Sequence, residues 1–186
     1  MMRKFLITCF AICFAGAAFG ADVGGVKLAD KAAVGGQELV LNGAGIRTRA
    51  VFKVYVGSLY VPAKAADLAA VLAKGPRRIQ MNLLRDLSAD QLVDALNDGM
   101  KDNNTAAEMA AVKAQQDQLT LIMKAFGEAN EGNVVTLDFV EGATVVGFNG
   151  AAKGTIPDAA FNSALTKIWL GDKLVQADLK KAMLGG

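Results

Sequence analysis

Any chemistry in this chain has to come from arginine, lysine, tyrosine, serine, threonine and carboxylates. There is no histidine in the 186 residues, and the 2 cysteines, Cys9 and Cys13, stand in an N-terminal segment expected to be removed. Their absence excludes cysteine and histidine triads, thiolate or imidazole metal sites and histidine-ligated haem. No metal and no cofactor is expected. The most distinctive stretch runs from Asn42 to Pro62, where Gly43 and Gly45 deliver Arg47 into a run rich in valine and aromatics. A guanidinium is a rigid, permanently charged fork of donors that matches a carboxylate, so Arg47 is the candidate anion holder. Gly43-Ala44-Gly45 is not a nucleotide-binding fingerprint, because the third glycine is missing and no phosphate-cradling helix follows. A tight turn at Asn42-Gly43, a bulge, a close backbone approach and a ligand-facing loop all remain open for these glycines.

The element expected to position Arg47 is one long central strand from Ile46 to Val61. Sorted by parity, Arg47, Arg49, Val51, Lys53, Tyr55, Gly57, Leu59 and Val61 share one face, which reads as partly wet. Thr48, Ala50, Phe52, Val54, Val56, Ser58 and Tyr60 form the other, which suits a core under helices. Tyr55 is the natural helper for Arg47. Eight residues of straight strand span about 26 Å, however, so the two meet on one head group only if the chain bends or bulges between Thr48 and Val51.

Around this stretch, Met1 to Lys4 carry two positive charges, Phe5 to Phe14 are mostly apolar and Ala15 to Ala21 are mostly small. That is the plan of a secretory signal peptide over residues 1–20 and implies a periplasmic location. The apolar run is too short to span a membrane. Taking Arg3 and Lys4 from 20 basic residues leaves 18 against 18 acidic ones. A balanced net charge gives no electrostatic reason to expect nucleic acid or an anionic membrane as partner, and no membrane insertion is expected once the signal is gone.

Further along, Ala65 to Lys74 reads as a short helix stopped by Gly75-Pro76, and Arg77 to Leu84 as a strand. Ser88 to Gln91 and Thr105 to Glu108 fit the capping box and predict helices over Ala89–Asp102 and Ala106–Ala125. Their methionines stand at helical spacing and read as core. Val134–Val140, Thr144–Phe148 and Ala151–Ile156 form a meander with turns at Glu141-Gly142-Ala143 and Asn149-Gly150. Asp158 caps a helix reaching about Leu170, and Ala177–Leu184 makes the last one. The alternation of strand and helix blocks indicates a single α+β domain over residues 21–186, with a mostly antiparallel sheet covered by helices on one face.

Asn42 to Arg47, Phe52 to Tyr60, the helix pair after Leu84-Arg85-Asp86-Leu87-Ser88 and the closing Ala164 to Gly171 segment together resemble the chalcone isomerase-like family, most closely its bacterial secreted branch. The likeness spans Val26 to Leu184. It implies an open-faced β-sandwich, a large sheet with a helical layer on one face and a ligand cleft between them. Gly43-Ala44-Gly45-Ile46-Arg47 matches the Gly-Ala-Gly-x-Arg pattern of the plant enzymes, so Arg47 looks like the family's substrate-contacting arginine. The family's threonine on the next strand falls at Val54, and its late threonine falls at Ile168 or Trp169. Its helical tyrosine and asparagine have only Asn97 as a counterpart.

Ring closure needs several preorganised donors around the developing enolate, and a lone arginine keeps an anion site without that network. The resemblance therefore implies a non-catalytic member that binds a fatty acid or similar amphipathic carboxylate, with Arg47, Tyr55 and Asn97 as ligand-binding residues. The alternative is an intramolecular lyase of chalcone isomerase type, in which Tyr55, Lys53 or Asn97 carries the proton. A third reading is an accessory envelope protein whose cleft is filled.

Overall fold

The computed structural model describes residues 19–186 apart from Lys74, Leu174 and Val175. The signal-peptide expectation falls almost wholly outside the described residues. Among the described residues eleven strands and six helices follow one another: β1 Phe19–Val23, β2 Val26–Ala29, β3 Lys31–Val34, β4 Gln37–Arg49, β5 Phe52–Val61, α1 Leu68–Ala73, β6 Arg77–Leu83, β7 Leu87–Ser88, α2 Ala89–Asn103, α3 Ala106–Ala111, α4 Lys113–Lys124, β8 Glu128–Ala129, β9 Val134–Val140, β10 Ala143–Phe148, β11 Ala151–Pro157, α5 Ala159–Leu170 and α6 Ala177–Met183. Seven strands form one antiparallel sheet in the order β11-β10-β9-β6-β5-β4-β3. This is the expected α+β class, with sheet and helices segregated.

One face of the sheet carries Leu59, Ile79, Met81, Leu137 and Val146, all buried with Leu96 and Met100 of α2, Met123 of α4 and Phe161, Leu165, Ile168 and Trp169 of α5. The opposite face holds a smaller cluster of Val34, Leu39 and Tyr60, and the β1–β2 hairpin reaches it where Gly24 meets Ile46 and Val56. Both capping boxes form, Ser88 with Gln91 and Thr105 with Glu108. The expected helix over residues 106–125 is interrupted at Val112. That residue is 1% exposed, whereas α3 buries no residue, so the break turns an exposed helix into one that contributes to the core.

The central stretch departs most from expectation. Ile46 to Val61 is two strands: β4 and β5 fold back on one another through Ala50 and Val51, with Arg49 opposite Phe52. Ala50 takes the left-handed backbone that this turn needs, φ 52°. No glycine, proline or asparagine marks it, which is why the run reads as continuous. Asn42-Gly43 is not a turn. Asn42 is the extra residue of a bulge, because Leu41 pairs with Tyr60 and Gly43 with Leu59. A one-residue bulge exchanges the faces of everything beyond it. It turns Gly45 and Arg47 toward the helices, while Leu39 stays in the cluster on the opposite face. On β5 the faces are likewise the reverse of the expectation, with Tyr55, Leu59 and Val61 in the main core.

Candidate ligand-binding site

Asn42 anchors the site from below. Its buried amide donates to Ala65 O at 2.9 Å and to Met183 O at 2.8 Å, and its Oδ1 accepts from Ala65 N–H at 2.8 Å. That side chain ties the bulge to the end of α6. The nearby glycines make room for the same helix. A Cβ on Gly43 would stand 2.0 Å from Ala182 O, and one on Gly45 would stand 2.8 Å from Ala182 Cβ. Gly57 faces the same helix more loosely, a Cβ there standing 3.3 Å from Leu179 Cδ1 and 3.6 Å from Met183 Sδ. Of the readings left open for the glycine cluster, the close backbone approach is the one realised, combined with a bulge.

With α6 seated, Arg47 and Tyr55 are direct partners across the β4–β5 ladder. Opposed residues of an antiparallel pair lie about 5 Å apart at Cα with their side chains on one face, so the 26 Å separation of a straight strand does not arise. Tyr55 is buried, and its hydroxyl accepts from Trp169 Nε1–H at 3.0 Å. Burial pushes its pKa up to about 12, partly offset by the Trp169 hydrogen bond and by the charge of Arg47. At neutral pH it is a fixed phenol. Its own proton has no acceptor among the described residues, so the group is poised to donate.

Arg47 is half-buried. Its Nη1 donates to Thr48 O and, at 3.5 Å, to Oε1 of Gln176, the residue preceding α6. Gln176 Oε1 also accepts from Thr48 N–H at 2.7 Å. No carboxylate pairs with Arg47 among the described residues. The site thus sets a guanidinium and a neutral phenol on cross-strand neighbours, with an amide oxygen resting on the cation. Asn97 stands on α2, where its Oδ1 accepts from Gln116 Nε2 of α4 at 2.8 Å. The hairpin brings Arg47 and Tyr55 together, while Asn97 bonds within the helical layer. Val54 is the unpaired residue of β5 between Lys53 and Tyr55, and Ile168 and Trp169 are buried on α5.

Two grooves of about 520 and 350 Å³ lie around the C-terminus, lined by Lys180, Lys181, Leu184 and Gly185 and by Asn42, Lys64 and Ala65. Neither lining includes Arg47, Tyr55 or Asn97. Among the described residues no group of three or more acidic, histidine or cysteine side chains could hold a metal.

This arrangement coincides with a family match. The chalcone isomerase-like family model matches residues 20–185. The chain belongs to the chalcone isomerase-like family. Among solved structures, it is similar to a fatty-acid binding protein of Arabidopsis thaliana, with a TM-score of 0.66 at 10% identity, over 86% of this chain and 92% of that one. At such identity the likeness establishes the fold. No curated protein matches the chain by sequence. Two residues outside the expected ligand set also shape the site, Trp169 through the Tyr55 hydroxyl and Gln176 through Arg47. Trp169 carried a signal, since a buried indole N–H needs an acceptor. Gln176 carried none. Away from the site, Arg77 stands as a cation at the start of an alternating strand; it is 5% exposed and fixes α5 to β6 through Thr166 Oγ1 at 2.7 Å and Asn162 O at 2.9 Å.

Proposed function

We propose that this chain is a non-catalytic, periplasmic member of its family that binds a fatty acid or similar amphipathic carboxylate, with Arg47 and Tyr55 holding the carboxylate. The observation that carries the reading is the direct cross-strand pairing of Arg47 with Tyr55. A carboxylate offers four lone-pair sites, enough to accept from the guanidinium and from the free Tyr55 proton together. Gln176 Oε1 rests on the same cation, and on this reading it is the neutral stand-in that an incoming carboxylate oxygen displaces. The structurally similar Arabidopsis protein is a fatty-acid binding protein, which supports the ligand class, and the N-terminal pattern supports the location.

Of the proton carriers the lyase alternative would use, Tyr55 is poorly suited. A general acid or base works best with a pKa near the working pH, and one pushed up to about 12 makes a hydrogen-bond donor. Mass spectrometry of molecules extracted from the natively purified chain is the test. A carboxylate amphiphile should accompany the wild type and be lost from Arg47→Gln; an equal yield from both proteins would refute the assignment of Arg47.

A further inference from the structure

The hairpin that joins Arg47 to Tyr55 ends in a tip whose composition its turn does not explain. Two-residue hairpin turns favour glycine, asparagine and aspartate, because at least one residue takes positive φ. The other hairpins obey this, with Gly24-Gly25, Gly35-Gly36, Glu141-Gly142 and Asn149-Gly150. Only here, among the described residues, does an alanine take the positive φ, followed by Val51 and Phe52, which are 84% and 58% exposed. These are two of the three large exposed hydrophobics among the described residues, and they are adjacent.

Cations surround them. Arg49 and Lys53 flank the tip and are exposed, and the exposed Arg85 guanidinium lies 5.0 Å from the centre of the Phe52 ring. On the Arg85 side a carboxylate borders the cluster, since Asp86 follows Arg85 and accepts the Glu131 N–H through Oδ1 at 2.8 Å. Net charge gave no reason to expect an anionic membrane, but binding responds to local charge within a Debye length of about 10 Å.

We propose that the β4–β5 tip is a membrane-docking element, in which Val51 and Phe52 enter the interface of a bilayer and Arg49, Lys53 and Arg85 bind anionic lipid headgroups. An apolar insert ringed by cations is the chemistry that such an interface selects. Arg47 stands three residues from Ala50, about 10 Å along an extended strand. On the ligand reading above, docking sets the carboxylate anchor just beyond the headgroups from which an amphiphile would be drawn. The tip itself does not depend on that reading.

Co-sedimentation of the purified chain with vesicles tests the proposal. The wild type should bind vesicles of equal parts phosphatidylcholine and phosphatidylglycerol, less at high salt, and bind pure phosphatidylcholine weakly. Val51→Ser with Phe52→Ser should weaken binding about tenfold, and Arg49→Gln and Lys53→Gln about fivefold each, with unchanged thermal unfolding because these side chains are exposed. Phe52→Trp should show a blue shift in the emission added by the new indole on mixing with the mixed vesicles. Failure of the wild type to sediment with them, or equal sedimentation of the serine variant, overturns the proposal. So does a concentration-dependent dimer abolished by the serine variant without vesicle binding, which would assign the tip to a second copy of the chain. Loss of ligand by Arg47→Gln with vesicle binding retained separates this claim from the ligand reading.

Discussion

Tyr55 gains its character from position. Burial raises its pKa to about 12, more than the Trp169 indole and the Arg47 charge lower it. A folded pKa above the unfolded value means that the native state keeps its proton longer, so the contribution is fully present below pH 10 and is lost as pH rises from 10 to about 12. Tyr55→Phe should reduce this alkaline loss in denaturant unfolding, by an amount on the order of 2 kcal/mol, and weaken carboxylate binding about tenfold. Arg77 shows the opposite shift. Burial with no carboxylate among the described residues lowers it to about 10, and it remains charged at neutral pH over the Phe139 ring, 4.5 Å from the centroid. Thr166→Val should cost about 3 kcal/mol, because it leaves a buried charge short of acceptors. Arg77→Met should cost less, because it removes the charge itself; chemical denaturation of both variants checks the order.

At the scale of elements, the seating of α6 on β4 fixes the site. Gly43 has no room for a side chain, so Gly43→Ala should lift the end of α6 and lower stability by about 3 kcal/mol, with increased amide exchange confined first to α6. This packing explains what the sequence could and could not disclose. Both capping boxes and the Asn149-Gly150 turn are local codes, and they are read directly from Ser88, Gln91, Thr105, Glu108, Asn149 and Gly150. The role of Gly43 and Gly45 depends on Ala182, far along the chain, so no local rule distinguishes a turn from a docking groove. The Ala50-Val51 turn lacks turn residues and was legible only as the bend that Arg47 and Tyr55 would require to share a ligand. Val51 reads as a strand residue because valine favours strands and not turns, whereas Phe52 does open β5.

At the scale of the molecule, the seven-stranded sheet carries helices α2, α4 and α5 on one face, and the β4–β5 hairpin carries Arg47, the proposed anion holder. No helix among the described residues is long and apolar enough to cross a membrane. The chain contains a single tryptophan, Trp169, bonded to the Tyr55 hydroxyl, and it is therefore a built-in reporter of the proposed carboxylate clamp. The most direct test is a Trp169 fluorescence titration with a long-chain fatty acid and, in parallel, with the alcohol of the same chain length. Saturable binding of the acid, at least about tenfold tighter than the alcohol, with that preference abolished in Arg47→Gln, is the predicted result. Equal affinity for acid and alcohol, or an acid preference that survives Arg47→Gln, would contradict the account.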